Sequence, residues 1–517
     1  MSSSNQNQQE QIVAVLDLGS NSFHILLAKV EHGEIRPLDF LGEKIQLAAS
    51  LNEDRLIDEA AIERALACLK RFAQLIYNLK PSAIRIVGTQ VLRKARNRQQ
   101  LIWPAQRLLG HDVEIISGRE EARLIYLGVS HCLPKKDEQR LVVDIGGGST
   151  EFIIGKNFVP LVRESLTLGC VSFTKSYFEG GVISSARYAQ AYTAARLKLL
   201  EIEANLIPLK WQAAIATSGS ARAIGQVATD AGLSQNGNIT KAGIKWQKKY
   251  LLKLDDISKI DLKGIKEDRR SIYPAGLAIM EAIFDALEIT EMQYCDWALR
   301  EGVIYDLLGR NQQEDVRSRT LTAIIERSGV DIKHAQKILA TAANLFSQVK
   351  FSWNLTEQWM QDILYWAAQV HEIGRVIAHN DYHKHGAYLI KHADLAGFSL
   401  QDQQMLALLI RFHKGKIKLN EFIVFDDNNL VKKSRQNNVI KEDLSLSLLK
   451  LCILLRLSMV LNHGRHEQAV RARLYANEQS LALEFSEDYL AQNPLISADL
   501  SKEAAKLATI NFQLTFI

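Results

Sequence analysis

Two stretches of this chain carry the same order of side chains, and a chain that repeats such an order is held to few folds. Near the N-terminus Val13-Ala14-Val15-Leu16-Asp17-Leu18-Gly19-Ser20-Asn21-Ser22 leads into the apolar run Phe23-His24-Ile25-Leu26-Leu27. Farther on, Leu141-Val142-Val143-Asp144-Ile145-Gly146-Gly147-Gly148-Ser149-Thr150-Glu151 leads into Phe152-Ile153-Ile154. Each reads as strand, tight turn, strand, with an aspartate closing the first strand and glycine and hydroxyls in the turn. One such hairpin in each half predicts a duplicated α/β unit whose turns face a shared cleft. Three residues without Cβ let backbone N–H groups converge on an anion, and phosphate is the natural one. Asp144 and Glu151 would repel a bare polyanion but can hold a divalent cation between themselves and phosphate oxygens. Metal-assisted phosphoryl chemistry is therefore expected, against the plainer reading of a glycine-rich hairpin with exposed acids.

Length and charge exclude several other classes. At 517 residues the chain is long enough for two to four domains, and 47% hydrophobic with 23% charged residues is ordinary for a globular protein. A net charge of +5 over this length is too small to argue for a nucleic-acid binder. The five cysteines, Cys68, Cys132, Cys170, Cys295 and Cys452, are scattered with no C-x-x-C, which points to neither a zinc site nor a disulfide framework and suits a reducing, intracellular setting. Residues 1–11 are polar and glutamine-rich and read as a disordered leader, not a signal peptide. The most apolar stretch, residues 444–461, is interrupted by Lys450 and Arg456 and reads as a buried helix, so no transmembrane segment is expected.

Between the two hairpins, residues 58–79 have helical apolar spacing. A strand over Ala83-Ile84-Arg85-Ile86-Val87 then meets Gly88-Thr89, and Arg93 stands one helical turn beyond Thr89. Hydroxyl, helix start and guanidinium together suit a phosphate, against the alternative of an arginine on a solvated face beside Lys94 and Arg96. After the strand Val113-Glu114-Ile115-Ile116, the run Ser117-Gly118-Arg119-Glu120 fits a capping box that ties Glu120 to structure. Glu121 is about 100° farther round the helix, is not needed for the cap, and is the acid free to face the cleft. In the second half, residues 168–171 are expected to close the sheet edge, and Ala213-Ala214-Ile215-Ala216-Thr217-Ser218-Gly219-Ser220 repeats the theme of strand and hydroxyl-rich turn. Arg269 precedes a helix opening near Tyr273-Pro274-Ala275-Gly276, and Ala298-Leu299-Arg300-Glu301-Gly302 opens another.

Past residues 309–315 strand signals nearly vanish and helical periodicity takes over, which separates an α/β half from a helical half. The helical half holds nine of the 13 histidines: His334, His371, His379, His383, His385, His392, His413, His463 and His466. His371-Glu372 and the histidines after it look like a worn His-Asp metal phosphohydrolase core, with Glu where Asp would be the ligand. Arg411, Lys414, Lys416 and Lys418 form a basic stretch that is either a solvated face or a track for a long polyanion. The last forty residues alternate and suggest a small appended β element.

Five blocks in order carry a resemblance: Asp17-Leu18-Gly19-Ser20-Asn21-Ser22-Phe23-His24; Gly88-Thr89 with Leu92-Arg93; Ile116-Ser117-Gly118 with Glu120-Glu121-Ala122-Arg123; Val143 through Glu151; and Ala298 through Gly302. The chain resembles the exopolyphosphatase and guanosine pentaphosphate phosphohydrolase family of the actin-like superfold, over nearly its whole length. The resemblance implies an α/β fold of two actin-like (ribonuclease H-like) domains, residues 12–132 and 133–312, then an α-helical His-Asp-like domain, 313–472, and a small C-terminal α+β domain, 473–517. It implies Mg²⁺, a homodimer with a basic channel, and a cytoplasmic location with peripheral membrane contact open. Residue by residue, the catalytic base falls on Glu121, the phosphate loop on Gly146, Gly147, Gly148 and Ser149, the metal-linked acids on Asp144 and Glu151, and phosphate contacts on Asn21, Thr89, Arg93 and Arg269. Trp297 departs from the family pattern, where glycine is usual before Ala298.

The implied reaction is hydrolysis of a terminal phosphoanhydride by a water that Glu121 polarises. The hydroxyl-rich turn 217–220, the Gly180-Gly181 pair, Gly148 and the basic stretch favour processive shortening of inorganic polyphosphate with release of orthophosphate. Conversion of guanosine pentaphosphate to the tetraphosphate is the alternative, and a non-catalytic polyphosphate or alarmone sensor is the alternative of another class.

Overall fold

The computed structural model describes residues 11–31, 34–80, 83–133, 137–311, 315–423, 441–464, 472–486 and 488–517. The expected leader, residues 1–11, lies outside these except for Gln11, which begins the first strand; His466 also lies outside them. The chain divides into two compact units, residues 1–315 and 316–517.

In the first unit, apolar runs buried along nearly their whole length in the central strands build two sheets with one plan. Strands β1 (Gln11–Leu18), β2 (Ser22–Glu31), β3 (Glu34–Lys44), β4 (Ile84–Gly88) and β5 (Glu114–Ile115) form a sheet ordered β3-β2-β1-β4-β5. Strands β6 (Gln139–Ile145), β7 (Thr150–Lys156), β8 (Val159–Leu166), β9 (Ala213–Thr217), β10 (Ile239–Thr240) and β11 (Glu291–Tyr294) form the other, ordered β10-β11-β9-β6-β7-β8. Each begins with an antiparallel three-strand meander, β1-β2-β3 or β6-β7-β8, and continues with parallel pairs, β1 with β4 and β6 with β9. Even the register irregularity recurs, at Leu27/Ala28 and at Ile154/Gly155. This is the duplicated α/β arrangement expected from the two hairpins.

Two helices are packed between the sheets. Gly118–Cys132 and Leu299–Asn311 share a core that takes Val13 and Val15 from β1 and Val142, Ile153 and Ile215 from the second sheet. They cross at glycines: a Cβ on Gly302 would overlap the Leu124 carbonyl, and one on Gly128 would overlap the Ala298 carbonyl. Buried ion pairs lock the crossing, with Arg85 reaching Glu114 at 2.9 Å and Asp306 at 2.6 Å, and Arg123 reaching Glu120 at 2.8 Å and Asp306 at 2.5 Å. Because its charged face finds partners on β4 and on helix Gly118–Cys132, the last helix of the stretch 133–312 packs against the first half of the unit. Residues 168–171 do not form a sheet edge. Gly169 caps a helix, Cys170–Tyr177, whose first amides donate to the Gly146 and Gly147 carbonyls at 3.0 and 2.9 Å.

The second unit is helical, as the periodicity indicated. Helices Val316–Ser328, Ile332–Val349, Gln358–Val370, Tyr382–His392, Leu400–Phe412 and Lys441–Leu461 surround one apolar core. Helix Lys441–Leu461 contains the one span among the described residues apolar enough to cross a membrane, Leu444–Leu461, and 67% of it is buried inside the protein. Its two cations are satisfied there: Lys450 donates to the Trp353 carbonyl at 3.2 Å, and Arg456 pairs with Glu503 and donates to the Phe412 carbonyl at 2.5 Å. Residues 473–517 are not a separate body. Strands β12 (Arg473–Asn477), β13 (Ser480–Glu484) and β14 (Gln513–Phe516) send Leu474, Leu481, Leu483 and Leu514 into the helical core, and helix Pro494–Ala508 adds Leu500 and Leu507. A piece of this size buries too little apolar surface to stand alone.

Candidate active site

The pairing of strands brings the two turns into equivalent positions. Asp17 lies opposite His24 across β1 and β2, and Asp144 lies opposite Glu151 across β6 and β7. The adjacent parallel strands finish beside them, with Leu18 paired to Gly88 and Asp144 paired to Thr217. The turns face one another closely enough that a Cβ on Gly147 would stand 3.3 Å from the Ser20 Cβ and 3.4 Å from that of Asn21. On Gly148 it would overlap the Gln90 carboxamide, whose nitrogen donates to the Gly148 carbonyl at 3.0 Å. Close approach, not a left-handed backbone, is thus the reason for glycine, since none of Gly146, Gly147 and Gly148 has positive φ.

Carbonyls of this loop and the Gly146 amide are spent on structure, while two of its other amides are not. Gly146 donates to the Ser149 carbonyl at 2.9 Å, while among the described residues the amides of Gly147 and Gly148 have no backbone acceptor. They are available to an anion.

Four acids line the cleft. Glu121 sits in the first turn of helix Gly118–Cys132, only 8% exposed, with Oε2 accepting from Arg93 at 2.7 Å. Arg93 also donates to the Ile116 carbonyl at 2.9 Å, so both ends of the contact are fixed. The Ser117 hydroxyl caps the helix by accepting from Glu120 N at 3.1 Å, but the Glu120 carboxylate turns to Arg123, so half of the expected box forms. Glu120 is structural, through its ion pair; Glu121 is held by Arg93 and is not unengaged as the capping argument alone implied. Asp144 accepts from the Ser218 hydroxyl at 2.6 Å, and Glu151 from the Ser165 hydroxyl at 2.9 Å. Asp17 has an Oδ1 atom that is buried and without a hydrogen-bond partner, as has Asn21.

Crowding these acids raises their affinity for protons. Burial, then repulsion from Glu121, lifts Asp144 to about 6, against the stabilising Ser218 hydroxyl. Asp17 is pushed up to about 7 by burial, with Glu121, Asp144 and Glu301 adding to it and Arg300 opposing. Glu151 is driven well above the ordinary carboxylate range by burial and by Glu121 and Asp144. His24, 3.9 Å from Asp17, is lowered to about 3 by burial and by Arg300 and Arg269, so it is neutral. The cleft therefore holds excess negative charge on hard oxygen donors, which a divalent cation would relieve. Among the described residues no three of these acids bring ligand oxygens within 4.8 Å of one another.

Around the acids, Thr89 precedes the one-turn helix Gln90–Lys94 without a side-chain capping bond and lies 4% exposed. Arg269 stands over Gly219 at the turn after β9, where a Cβ would overlap its guanidinium. Trp297 accepts from the Thr217 hydroxyl at 3.0 Å through its carbonyl. Structure thus gathers Asn21, Thr89, Arg93, Glu121, Asp144, the glycine loop with Ser149, Glu151 and Arg269 on the ends of the strands in one unit. Arg411, Lys414, Lys416 and Lys418 belong to the other unit, with the three lysines exposed and Lys418 3.7 Å from Glu421. Asp17, Gln90 and Arg300 were passed over as site residues. The repeat itself pointed to Asp17, since it occupies in the first turn the place of Asp144 in the second; nothing local singled out Gln90.

The helical unit holds a second group of buried polar side chains. His334, His371 and Glu372 lie 7%, 0% and 3% exposed, each with a ligand atom within 4.8 Å of the others. His383 and His413 are buried nearby, with ring centres 6.1 Å apart, while His379, His385 and His392 are not buried.

Comparison with known proteins agrees in extent with this architecture. The chain matches the Ppx/GppA phosphatase family over residues 26–311 and the Ppx/GppA phosphatase domain III over residues 316–504. It is 34% identical over 507 residues to a guanosine-5'-triphosphate,3'-diphosphate pyrophosphatase of Pseudoalteromonas translucida, covering 98% of both chains. An exopolyphosphatase from Cytophaga hutchinsonii superposes with a TM-score of 0.54 at 23% identity, over 58% of this chain and 98% of that one. The Ppx/GppA family member of Aquifex aeolicus does so with a TM-score of 0.50 at 22% identity, over 58% and 99%. These two likenesses are of fold.

Proposed function

Since this chain belongs to the Ppx/GppA phosphatase family, we propose that it hydrolyses the terminal phosphoanhydride of guanosine pentaphosphate, releasing orthophosphate and leaving the tetraphosphate. The full-length relative named for that activity supports this substrate over inorganic polyphosphate, which the hydroxyl-rich turn and the basic stretch had favoured. Those features are generic to polyanion binding, and the basic stretch lies in the other unit. Polyphosphate remains the second reading, supported by the chemical identity of the two terminal groups.

One observation carries the reading: Glu121 is fixed by Arg93 at 2.7 Å and couples electrostatically to Asp17, Asp144 and Glu151 at the ends of both hairpins. A phosphate chain seated between the turns would be bound by the amides of Gly147 and Gly148, with Asn21, Thr89, Ser149 and Arg269 orienting its oxygens. Glu121 takes the proton of a water whose oxygen bonds to the terminal phosphorus as the bridging P–O bond breaks, and the electron pair stays on the leaving phosphate. Arg93 keeps the Glu121 carboxylate aimed through its 2.7 Å contact, and faces charge developing on the phosphoryl group. Asp144 and Glu151 would hold Mg²⁺, which supplies charge neutralisation to the phosphate oxygens. The same reading carries a homodimer, a cytoplasmic location and a His-Asp-like helical domain.

Phosphate release from guanosine pentaphosphate, long-chain polyphosphate and ATP, with Mg²⁺, tests it directly. Release is expected in that order of preference, and Glu121→Gln should lose about 10²- to 10⁴-fold in kcat with substrate binding kept. Equal release by wild type and variant would remove Glu121 from the mechanism. A preference for polyphosphate would restore the other substrate.

A further inference from the structure

Two thiols far apart in sequence meet one helical turn beyond Gly128. Cys132 is the last residue of helix Gly118–Cys132, whose first turn carries Glu121, and Cys295 follows β11 on the approach to helix Leu299–Asn311. Both backbones are pinned. The His131 ring lies flat on that of Tyr305 with centres 3.4 Å apart, and the Cys295 amide donates to the Ala216 carbonyl at 3.0 Å. The Cys295 thiol donates to the Cys132 sulfur, and the Trp297 amide points at both sulfurs.

The two sulfurs differ in what can reach them. Of the five cysteines Cys132 alone is exposed, while Cys295 is 3% exposed. Donation from Cys295 lowers the Cys132 thiol to about 7, with partial burial and the charge of Glu301 opposing and the Trp297 amide assisting, so a large share of it is thiolate near neutral pH. The same contact, together with burial, pushes Cys295 up and keeps its proton in place. Cys68, Cys170 and Cys452 are buried and raised by that burial, which makes them inert by comparison.

We propose that Cys132 and Cys295 are a site of reversible oxidation by hydrogen peroxide, with Cys132 reacting first and Cys295 closing a disulfide. The Cys132 thiolate sulfur attacks one peroxide oxygen, an S–O bond forms as the O–O bond breaks, and the departing hydroxide takes a proton and leaves as water. Cys132 is then a sulfenic acid, oxidised by the two electrons that the peroxide has gained. The Cys295 sulfur next attacks the Cys132 sulfur, the S–S bond forms as the S–O bond breaks, and the Cys295 proton leaves with the hydroxide as a second water. Sulfurs already in contact need only a short approach to reach bonding distance. The bond ties the end of the helix that carries Glu121 to the segment entering the helix packed across it, and its formation does not depend on which phosphoanhydride the cleft takes.

Full-length protein is treated with hydrogen peroxide, quenched with catalase, unfolded, alkylated with N-ethylmaleimide and mapped by mass spectrometry. Wild type should lose two alkylatable thiols per chain and yield a peptide pair that joins Cys132 to Cys295, with both thiols returned by dithiothreitol. Cys295→Ser should stop at the sulfenic acid, which dimedone captures on Cys132, and Cys132→Ser should leave Cys295 reduced; circular dichroism confirms that both variants are folded. In the untreated native protein N-ethylmaleimide should modify Cys132 at least about tenfold faster than Cys68, Cys170 or Cys452. Absence of the joined peptides, a bond from Cys132 to another cysteine or to a second chain, oxidation of Cys295 in Cys132→Ser, or alkylation of Cys132 no faster than that of the buried cysteines would each overturn the assignment.

Discussion

The hairpin β1–β2 and the hairpin β6–β7 share strand order, register and the aspartate that ends the first strand, yet they differ in what lies across from that aspartate. His24 faces Asp17, and Glu151 faces Asp144. With its pKa lowered to about 3, His24 is a neutral imidazole stacked on Phe40, while Glu151 brings a second carboxylate to its turn. One backbone plan thus serves two jobs. The second turn carries the charge that a cation needs and the glycines that an anion needs; the first supplies a wall, with Ser20 and Asn21 set against Gly147.

That asymmetry can be broken most severely at its one charge difference. Glu151→Gln should cost about 10²-fold in phosphate release and raise the Mg²⁺ concentration needed for half-maximal rate, while His24→Gln should change either by less than about threefold. Similar losses from both would mean that the turns are functionally equivalent. A smaller effect is expected from Gly148→Ala, whose methyl displaces Gln90 from its bond to the loop: about tenfold in kcat/KM, with part regained in the Gly148→Ala/Gln90→Ala double variant, as steady-state kinetics would show.

The smallest effect is on stability, and its sign depends on pH. Asp17 has a native pKa of about 7 against an ordinary 3.8, so between these values the folded chain holds more protons than the unfolded one. Stability therefore falls as pH rises through this window, and the penalty is complete above about 7. Asp17→Asn should leave the melting temperature nearly unchanged at pH 4 and raise it at pH 8, by an amount worth about 1–3 kcal/mol, with Mg²⁺ narrowing the gap between variant and wild type. A melting curve shifted equally at both pH values would refute the crowding of acids in the cleft.

Much of the site was legible because its signals are local. An aspartate at a strand end, glycines in the next turn and Ser117 at a helix start are written within a few residues of one another. The long helices were visible for the same reason, through their apolar spacing. What failed was decided at a distance. Residues 168–171 read as an edge strand because they are apolar, but the Gly146 and Gly147 carbonyls draw Cys170 and Val171 into a helix start. Glu120 was assigned to a cap, but its carboxylate accepts from Arg123, whose guanidinium is turned that way by Asp306, 183 residues farther along the chain. The alternation in residues 473–517 announced strands correctly, but not that Leu481 and Leu514 would complete a core begun by helices.

By itself, the sequence determined the repeated strand-and-turn plan, the helical second half and the identity of the acid at the start of helix Gly118–Cys132, since each depends on side-chain periodicity or on neighbours within one turn. Tertiary structure alone decided that Arg93 would hold that acid, that Gln90 would clasp the opposite loop, that helices would cross at Gly128 and Gly302, and that His334 would meet Glu372. These depend on which surfaces approach within a few ångströms, and that distance is set by the packing of whole elements, which no local pattern encodes.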